Sequence, residues 1–560
     1  MPSGEITISG RYLNMPVKAG ALRCRMCLNV GGQVVRAFHV ELAEDEIDFW
    51  TFVEVSAWQG QLAEITLEPD PVDSGEIRES AMHEGALDGL ELSEEIKDAA
   101  AIYQESLRPQ FHFTTRRGWH NDPNGMLFYE GEYHLFYQHQ PFSVSSFTDK
   151  SWGHAVSRDL LHWEERPIAL WADQEGQKWS GSGVVDWHNV SGLQQGEEPP
   201  LLLFYTATGR SVQCPKAPDD FVQSIAYSND HGLTWETYAG NPIIPTITPG
   251  NRDPLVFWHE LTQQWVMTLY VGEPESWLRD GNRSFARIFT SKNLTDWREE
   301  SAVEGFFDCP ALFSLPLDGD ENDLRWVMHC ADMKYKVGRF DGRVFTPETD
   351  FLVGQIGDCA YAPQLFNHAP QGRRIQIAWG RTKAPGMPFS QIMCFPCDLS
   401  MVSTEAGPRV RWQPVPEIET LWNSRTLIED RIISAGEGAV ELAQGIHLDL
   451  EMCLDTTGAK AIDLSIRGLK VQCDLQTQTL RVNDYEAPLT MRNGKLSLRC
   501  LVDRISVEIF ADEGLVYMPL AIILEPEQTQ ISLQAREGSL TVDRLECREL
   551  KSIWRDLPVQ

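Results

Sequence analysis

The chain has 560 residues, a formal net charge of −33 and 42% hydrophobic residues. That length exceeds what one core supports and calls for two or three domains. The acidic balance argues against nucleic-acid or anionic-membrane partners, no apolar run reaches membrane-span length, and neither charge nor length fixes the oligomeric state.

In chain order, Met1–Glu5 carries no basic-then-apolar leader. Twelve Cys are scattered along the chain, which suggests neither a zinc site nor a disulfide framework, so no metal or cofactor is expected. The missing leader points to the cytoplasm, or to a secreted or periplasmic setting if the chain has been trimmed, and free thiols fit a reducing compartment. Residues 1–68 alternate as short strands separated by Gly and Asp breaks and predict an N-terminal β-module. Residues 69–108 form an acidic linker, with a short helix expected from Glu94 to Leu107.

From residue 109 the chain repeats itself. Ser157-Arg158-Asp159-Leu160-Leu161-His162-Trp163 recurs as Ser228…Trp235 and as Ser291…Trp297, at intervals of about 60 to 70 residues. Each copy follows an apolar strand and reads as a blade hairpin with its Trp packed between blades. Residues 109–400 have room for five blades of four short strands, a five-bladed β-propeller. A polar linker with a short helix is expected over 401–427, and alternating strands over 428–560 predict a C-terminal β-sandwich. The fold class is all-β.

Three acids interrupt the propeller segment. Asp122 lies in Gly118-Trp119-His120-Asn121-Asp122-Pro123-Asn124-Gly125, which reads as a turn between strands at 110–114 and 126–129. Asp253 lies in Arg252-Asp253-Pro254, and Asp308 in Asp308-Cys309-Pro310. Each precedes Pro or Cys-Pro at a strand end, in a different blade. The first strand of each propeller blade lines the central channel, so residues at equivalent ends of those strands converge although distant in sequence. Three independent surface turns would leave the shared pattern unexplained.

These three motifs, in this order, resemble glycoside hydrolase family 32, the fructan hydrolases and invertases. The likeness runs over nearly the whole chain. It implies a retaining glycosidase that releases fructose from β-fructans or fructosides, exo-acting, with small sugars or oligosaccharides as partners. Retention needs two carboxyl groups about 5 to 5.5 Å apart. The resemblance implies Asp122 as nucleophile, held ionised by turn donors and a nearby Arg. It implies Asp253, beside Arg252, as transition-state stabiliser, and Asp308 as general acid/base, its proton held by neighbouring carboxylates. Asn121 and Gln138 match residues that bond the fructosyl unit. Trp179-Ser180 and Trp379 match pocket walls, and Tyr361 and Gln364 a neighbouring strand.

The chain also departs from the family pattern. The family has Glu at position 308, and Asp shortens the reach by about 1.5 Å. Phe147-Thr148-Asp149 replaces a Trp-Gly-Asn, Gln140 an Asn, and Cys359 a small polar or acidic residue. His120 stands where an apolar residue is usual and is expected at the pocket rim or partly exposed. These changes keep two alternatives open: a non-catalytic carbohydrate-binding propeller, and a related furanosidase or fructosyl transferase with altered specificity.

Overall fold

The structure, a computed structural model, describes residues 3–69, 85, 87–145, 149–215, 217–272 and 283–554. Most of the acidic stretch after Glu68, and Phe147 and Thr148, lie outside the described residues. Five blades of antiparallel strands follow one another around a channel, the fourth and fifth joined into one sheet by a parallel pairing of Leu317 with Met401. Their innermost strands are Gly118–Tyr129, Lys178–Val185, Arg252–His259, Ala311–Leu317 and Ala360–Leu365. A parallel bridge, Leu127 to Asn367, joins the first blade to the fifth. Asn367 closes the ring more firmly: its Nδ2 donates to Gly183 O at 2.8 Å and to Val256 O at 2.9 Å.

The repeated Ser…Trp segments connect the third and fourth strands of the first three blades. The indole N–H groups of Trp163, Trp235 and Trp297 donate to the carbonyls of Leu160, Gly232 and Leu294 at 2.9, 3.1 and 2.8 Å. Each ring then packs on a neighbouring blade: Trp235 edge-on to Phe136, Trp297 to Phe204, Trp163 stacked over Phe366. A buried aromatic ring with its one donor satisfied locally is a hydrophobic wedge with no polar cost, so the repeat is structural.

Two sheets form the N-terminal module around one apolar cluster, which also takes in Phe142 of the first blade. One strand of it, Tyr12–Val17, escapes the sequence pattern because it is buried at every position and shows no alternation. The C-terminal sheets share the strand Gln530–Leu550, which passes from one sheet to the other where Glu537 and Gly538 have positive φ.

Several local expectations are corrected. The run Asn121–Gly125 is not a turn; it lies inside the strand Gly118–Tyr129, whose register shifts between His120 and Pro123 and again between Asn124 and Leu127. Pro123 fits there because an irregular ladder does not demand its missing N–H. Gly125 has φ +57°, and a Cβ there would lie 2.6 Å from Phe136. No strand forms at 110–114.

The helix expected over 94–107 is a single 3-10 turn, Ala99–Ala101, flanked by left-handed Asp98 and Tyr103. Long-range contacts override helix propensity there. Tyr103 stacks on Trp554 at 4.3 Å, and Glu105 accepts from Arg108 and Arg117 at 2.7 and 2.8 Å. The polar stretch 401–427 likewise carries strands. Cys397–Thr404 and Gly407–Pro414 pair with each other, a 3-10 turn spans Pro416–Leu421, and Trp422–Ser434 joins the C-terminal sheet.

Candidate active site

The site forms at the N-terminal ends of the inner strands, where each blade's chain enters the channel. Asp122 is set by the first irregularity in its strand. Asp253 and Asp308 hold left-handed backbone, φ +65° and +52°, which turns each carboxyl out of the strand direction. Such conformations cost an L-residue on the order of 1 kcal/mol or more and persist where surrounding contacts enforce them. Here the Asp253 N–H donates to Thr206 Oγ1 at 3.0 Å, and the Cys309 N–H donates to Asp253 Oδ2 at 2.9 Å.

The three acids share one pocket. The Cys309 thiol sits among them, 3.8 Å from Asp122 Oδ2 and 3.5 Å from Asp253 Oδ2. It is buried, and burial together with the neighbouring carboxylates pushes it far above the usual thiol range. It is therefore a neutral packing and donor group, not a nucleophile.

Asp122 accepts from Ser180 Oγ at 2.6 Å and from Asn121 Nδ2 at 3.2 Å. Gln138 braces both donors: its Oε1 accepts from Asn121 at 2.7 Å and its Nε2 donates to Ser180 at 2.6 Å. The anticipated donors are thus side chains from the first and second blades, not turn amides. The anticipated Arg serves another acid. Arg252 Nε donates to Asp308 Oδ1 at 2.6 Å, its Nη2 reaches the same oxygen, and Asp253 Oδ2 lies 3.7 Å away. The guanidinium lies over Tyr270 at 4.3 Å and Phe307 at 5.6 Å. Tyr361 OH donates to Asp308 Oδ2 at 3.2 Å.

Burial raises Asp122 above the usual carboxylate range, an effect that Ser180 and Asn121 partly offset. Burial, then the charge of Asp308, push Asp253 up to about 7. Three clustered carboxylates do not all ionise cheaply, so the cluster retains a proton near neutrality. Of the two acids nearest Arg252, Asp308 is the more open, with 19% of its side chain exposed against 6% for Asp253. That openness suits a group that exchanges protons with a departing or entering oxygen.

Aromatic walls surround the acids. Trp379 lies edge-on to Trp119 at 6.0 Å and to Tyr361 at 6.1 Å, and Trp179 is edge-on to Phe221 at 5.4 Å. Gln364 does not enter the pocket; its amide donates to Gly181 O and ties the fifth blade to the second. His120, expected at the rim, is fully buried behind the strand against Phe113 and Tyr137, and burial pushes it down to about 3. Strand alternation explains the error: His120 points to the opposite face from Trp119.

Sequence reading missed Thr206, Tyr270 and Lys150. Lys150 Nζ lies 5.6 Å from the Trp119 ring centre, and burial pushes it down to about 8 against the pull of Asp122. Thr206 and Tyr270 are mid-strand residues without any motif; only blade pairing brings them to the site.

This geometry has counterparts among known proteins. Residues 112–411 match the family described as Glycosyl hydrolases family 32 N-terminal domain, and residues 458–549 match Glycosyl hydrolases family 32 C terminal. The chain is 35% identical over 517 residues to the Levanase of Bacillus subtilis (strain 168), covering 82% of this chain and 73% of that protein. It is 29% identical over 534 residues to the Extracellular exo-inulinase of Aspergillus awamori, covering 81% of this chain and 96% of that one. The crystal structure of the Aspergillus awamori exo-inulinase superposes with a TM-score of 0.71 at 28% identity, over 81% of this chain and 100% of that chain. A fructofuranosidase from Schwanniomyces occidentalis complexed with fructosylnystose shares the fold, with a TM-score of 0.69 at 23% identity, over 80% and 98% of the two chains.

Proposed function

The chain belongs to glycoside hydrolase family 32, and we propose that it is an exo-acting glycosidase that releases fructose from β-fructans or fructosides with retention of configuration. The single observation that carries this reading is the convergence of Asp122, Asp253 and Asp308, from three blades, around the Cys309 thiol.

In this reading Asp122 attacks the anomeric carbon of the fructosyl unit. The glycosidic C–O bond breaks, and Asp308 gives its proton to the departing oxygen. A covalent fructosyl–Asp122 ester results. Asp308, now a carboxylate, takes a proton from water; the water oxygen bonds the anomeric carbon and the ester C–O bond breaks. Asp253 holds fructosyl hydroxyls as positive charge builds on the ring. Ser180 and Asn121 hold Asp122 in line, while Trp119, Trp179 and Trp379 wall the sugar and exclude water.

The Asp at position 308 fits this scheme through its partners. Arg252 grips one carboxylate oxygen and Tyr361 the other, so the shorter side chain has a fixed place. Arg252 must loosen its grip for Asp308 to carry a proton. We further propose a cytoplasmic location, from the free Cys content read in the sequence.

The test is reducing-sugar release from sucrose, inulin and levan, with the anomeric configuration of the first product followed by NMR. Wild type is expected to release fructose with retained configuration. Asp308→Asn is expected to lose about 10² to 10⁴ in kcat on these substrates. Inverted product, or an Asp308→Asn variant as fast as wild type, overturns the mechanism.

A further inference from the structure

One sizeable cavity in the propeller is not at the acids. A cavity of about 380 Å³ opens at the opposite mouth of the channel, where the inner strands leave it. Trp187, Phe257, Phe313, Phe366 and His368 are among the residues that line it. The two mouths lie at opposite ends of the inner strands. Asn367 spans the channel between them, bonded to Gly183 O and Val256 O, and Ser182 Oγ is held between Pro254 O and Val256 N at 2.9 and 2.8 Å.

The lining is mostly apolar, with one carboxylate and one guanidinium. Its one carboxylate, Asp186, already accepts from Val190 N, Ser191 N and Ser191 Oγ at 2.9, 2.8 and 2.7 Å. Its one guanidinium, Arg374, donates to the carbonyls of Ser314 and Gly372 at 3.2 Å each. Both are held by hydrogen bonds within the protein. Trp187 keeps 49% of its surface exposed at the rim, although burying such a ring is worth about 2 kcal/mol or more. Its ring meets His368 edge-on at 5.9 Å. Flat aromatic faces combined with a few imidazole, hydroxyl and amide groups suit a pyranose or furanose ring, apolar on its C–H faces and polar at its edges.

We propose that this opposite mouth is a second, non-catalytic binding site for a neutral saccharide chain, a reading that rests on the fructan activity proposed above. The site holds a stretch of the same polymer whose ends are cut at the acids. Occupying it raises the local concentration of chain ends without touching the reacting bond. Trp187 is the main contact.

The test uses the full chain carrying Asp122→Asn, so that polymer is not consumed, in affinity electrophoresis through inulin and through levan. Adding Trp187→Ala is expected to weaken retention by at least one polymer roughly ten-fold. Trp187→Phe, which keeps a flat face, is expected to retain most of the affinity. In the chain with its acids intact, Trp187→Ala is expected to leave kcat/KM on sucrose unchanged and to raise KM on the retained polymer. Equal polymer retention with and without Trp187 overturns the inference. So does a loss of retention matched by lost sucrose turnover, or occupation of the cavity by an apolar dye that neither polymer displaces. Fructose release by the intact protein reports separately on the activity, so the two readings fail independently.

Discussion

The pocket of Asp122, Asp253 and Asp308 and the junction between propeller and sandwich both bury carboxylates around a cation, and they satisfy them differently. At the junction His112 lies between Asp503 and Glu508, its ring nitrogens 2.8 and 2.9 Å from their oxygens. Asp503 also accepts from the N–H groups of Gln110, Phe111 and Arg504, and Glu508 from Phe395 N–H and Tyr517 OH. Burial alone would push His112 down, but the two carboxylates hold it at about 10. Asp503 is held well below its usual range, its desolvation outweighed by His112. Nothing there remains to bind a ligand.

At the pocket Arg252 and Lys150 face three acids, and the balance runs the other way: Asp122 and Asp253 are raised. A fully partnered cluster is a joint; an under-partnered one keeps a proton and acceptor capacity for a substrate.

The sharpest break in this comparison is Asp122→Asn. Loss of the nucleophile is expected to cost kcat about 10⁴-fold or more, with the thermal midpoint equal to or above wild type because a buried, raised carboxyl is gone. Reduced stability in this variant would mean that the pocket is a structural joint too. At the junction His112→Ala is expected to do the reverse. It leaves two buried acids without their cation, costs about 3–5 kcal/mol in denaturant unfolding, and leaves kcat per folded molecule unchanged.

pH separates the two clusters without mutation. A carboxyl raised in the folded state favours the fold at low pH, and that contribution fades as pH climbs from about 4 to about 7 for Asp253. His112 is raised, so its contribution is complete below about 6.5 and is lost only as pH rises through about 10. Activity is therefore expected to fall above about pH 7, as the pocket loses its proton, while near-UV circular dichroism stays native to about pH 9. Activity and fold lost together near neutral pH would merge the two clusters. The smallest effect expected is that of Ser180→Ala, which removes one donor from Asp122 and costs about 1 kcal/mol, near five- to ten-fold in kcat/KM.

Much of the site was legible because each acid sits in a local motif: a Pro or Cys-Pro beside an Asp marks a strand-end irregularity whatever surrounds it. The Ser…Trp repeats were legible for the same reason, since their hydrogen bonds close within a few residues. The helix expected at 94–107 failed where Tyr103 answers to Trp554, far along the chain. His120 failed because a motif does not tell which face of a strand its members take.

The sequence by itself determined an all-β chain, its order of modules and the three acids, since strand periodicity, turn chemistry and short motifs are properties of neighbouring residues. Only the tertiary structure decided which blade lends Ser180 to Asp122, that Arg252 grips Asp308, that His112 pins the sandwich, and that the channel has two mouths. Those outcomes depend on ring closure and on pairs as far apart as Gln110 and Asp503, whose contact is fixed by packing the whole sheet array and by no local preference of either segment.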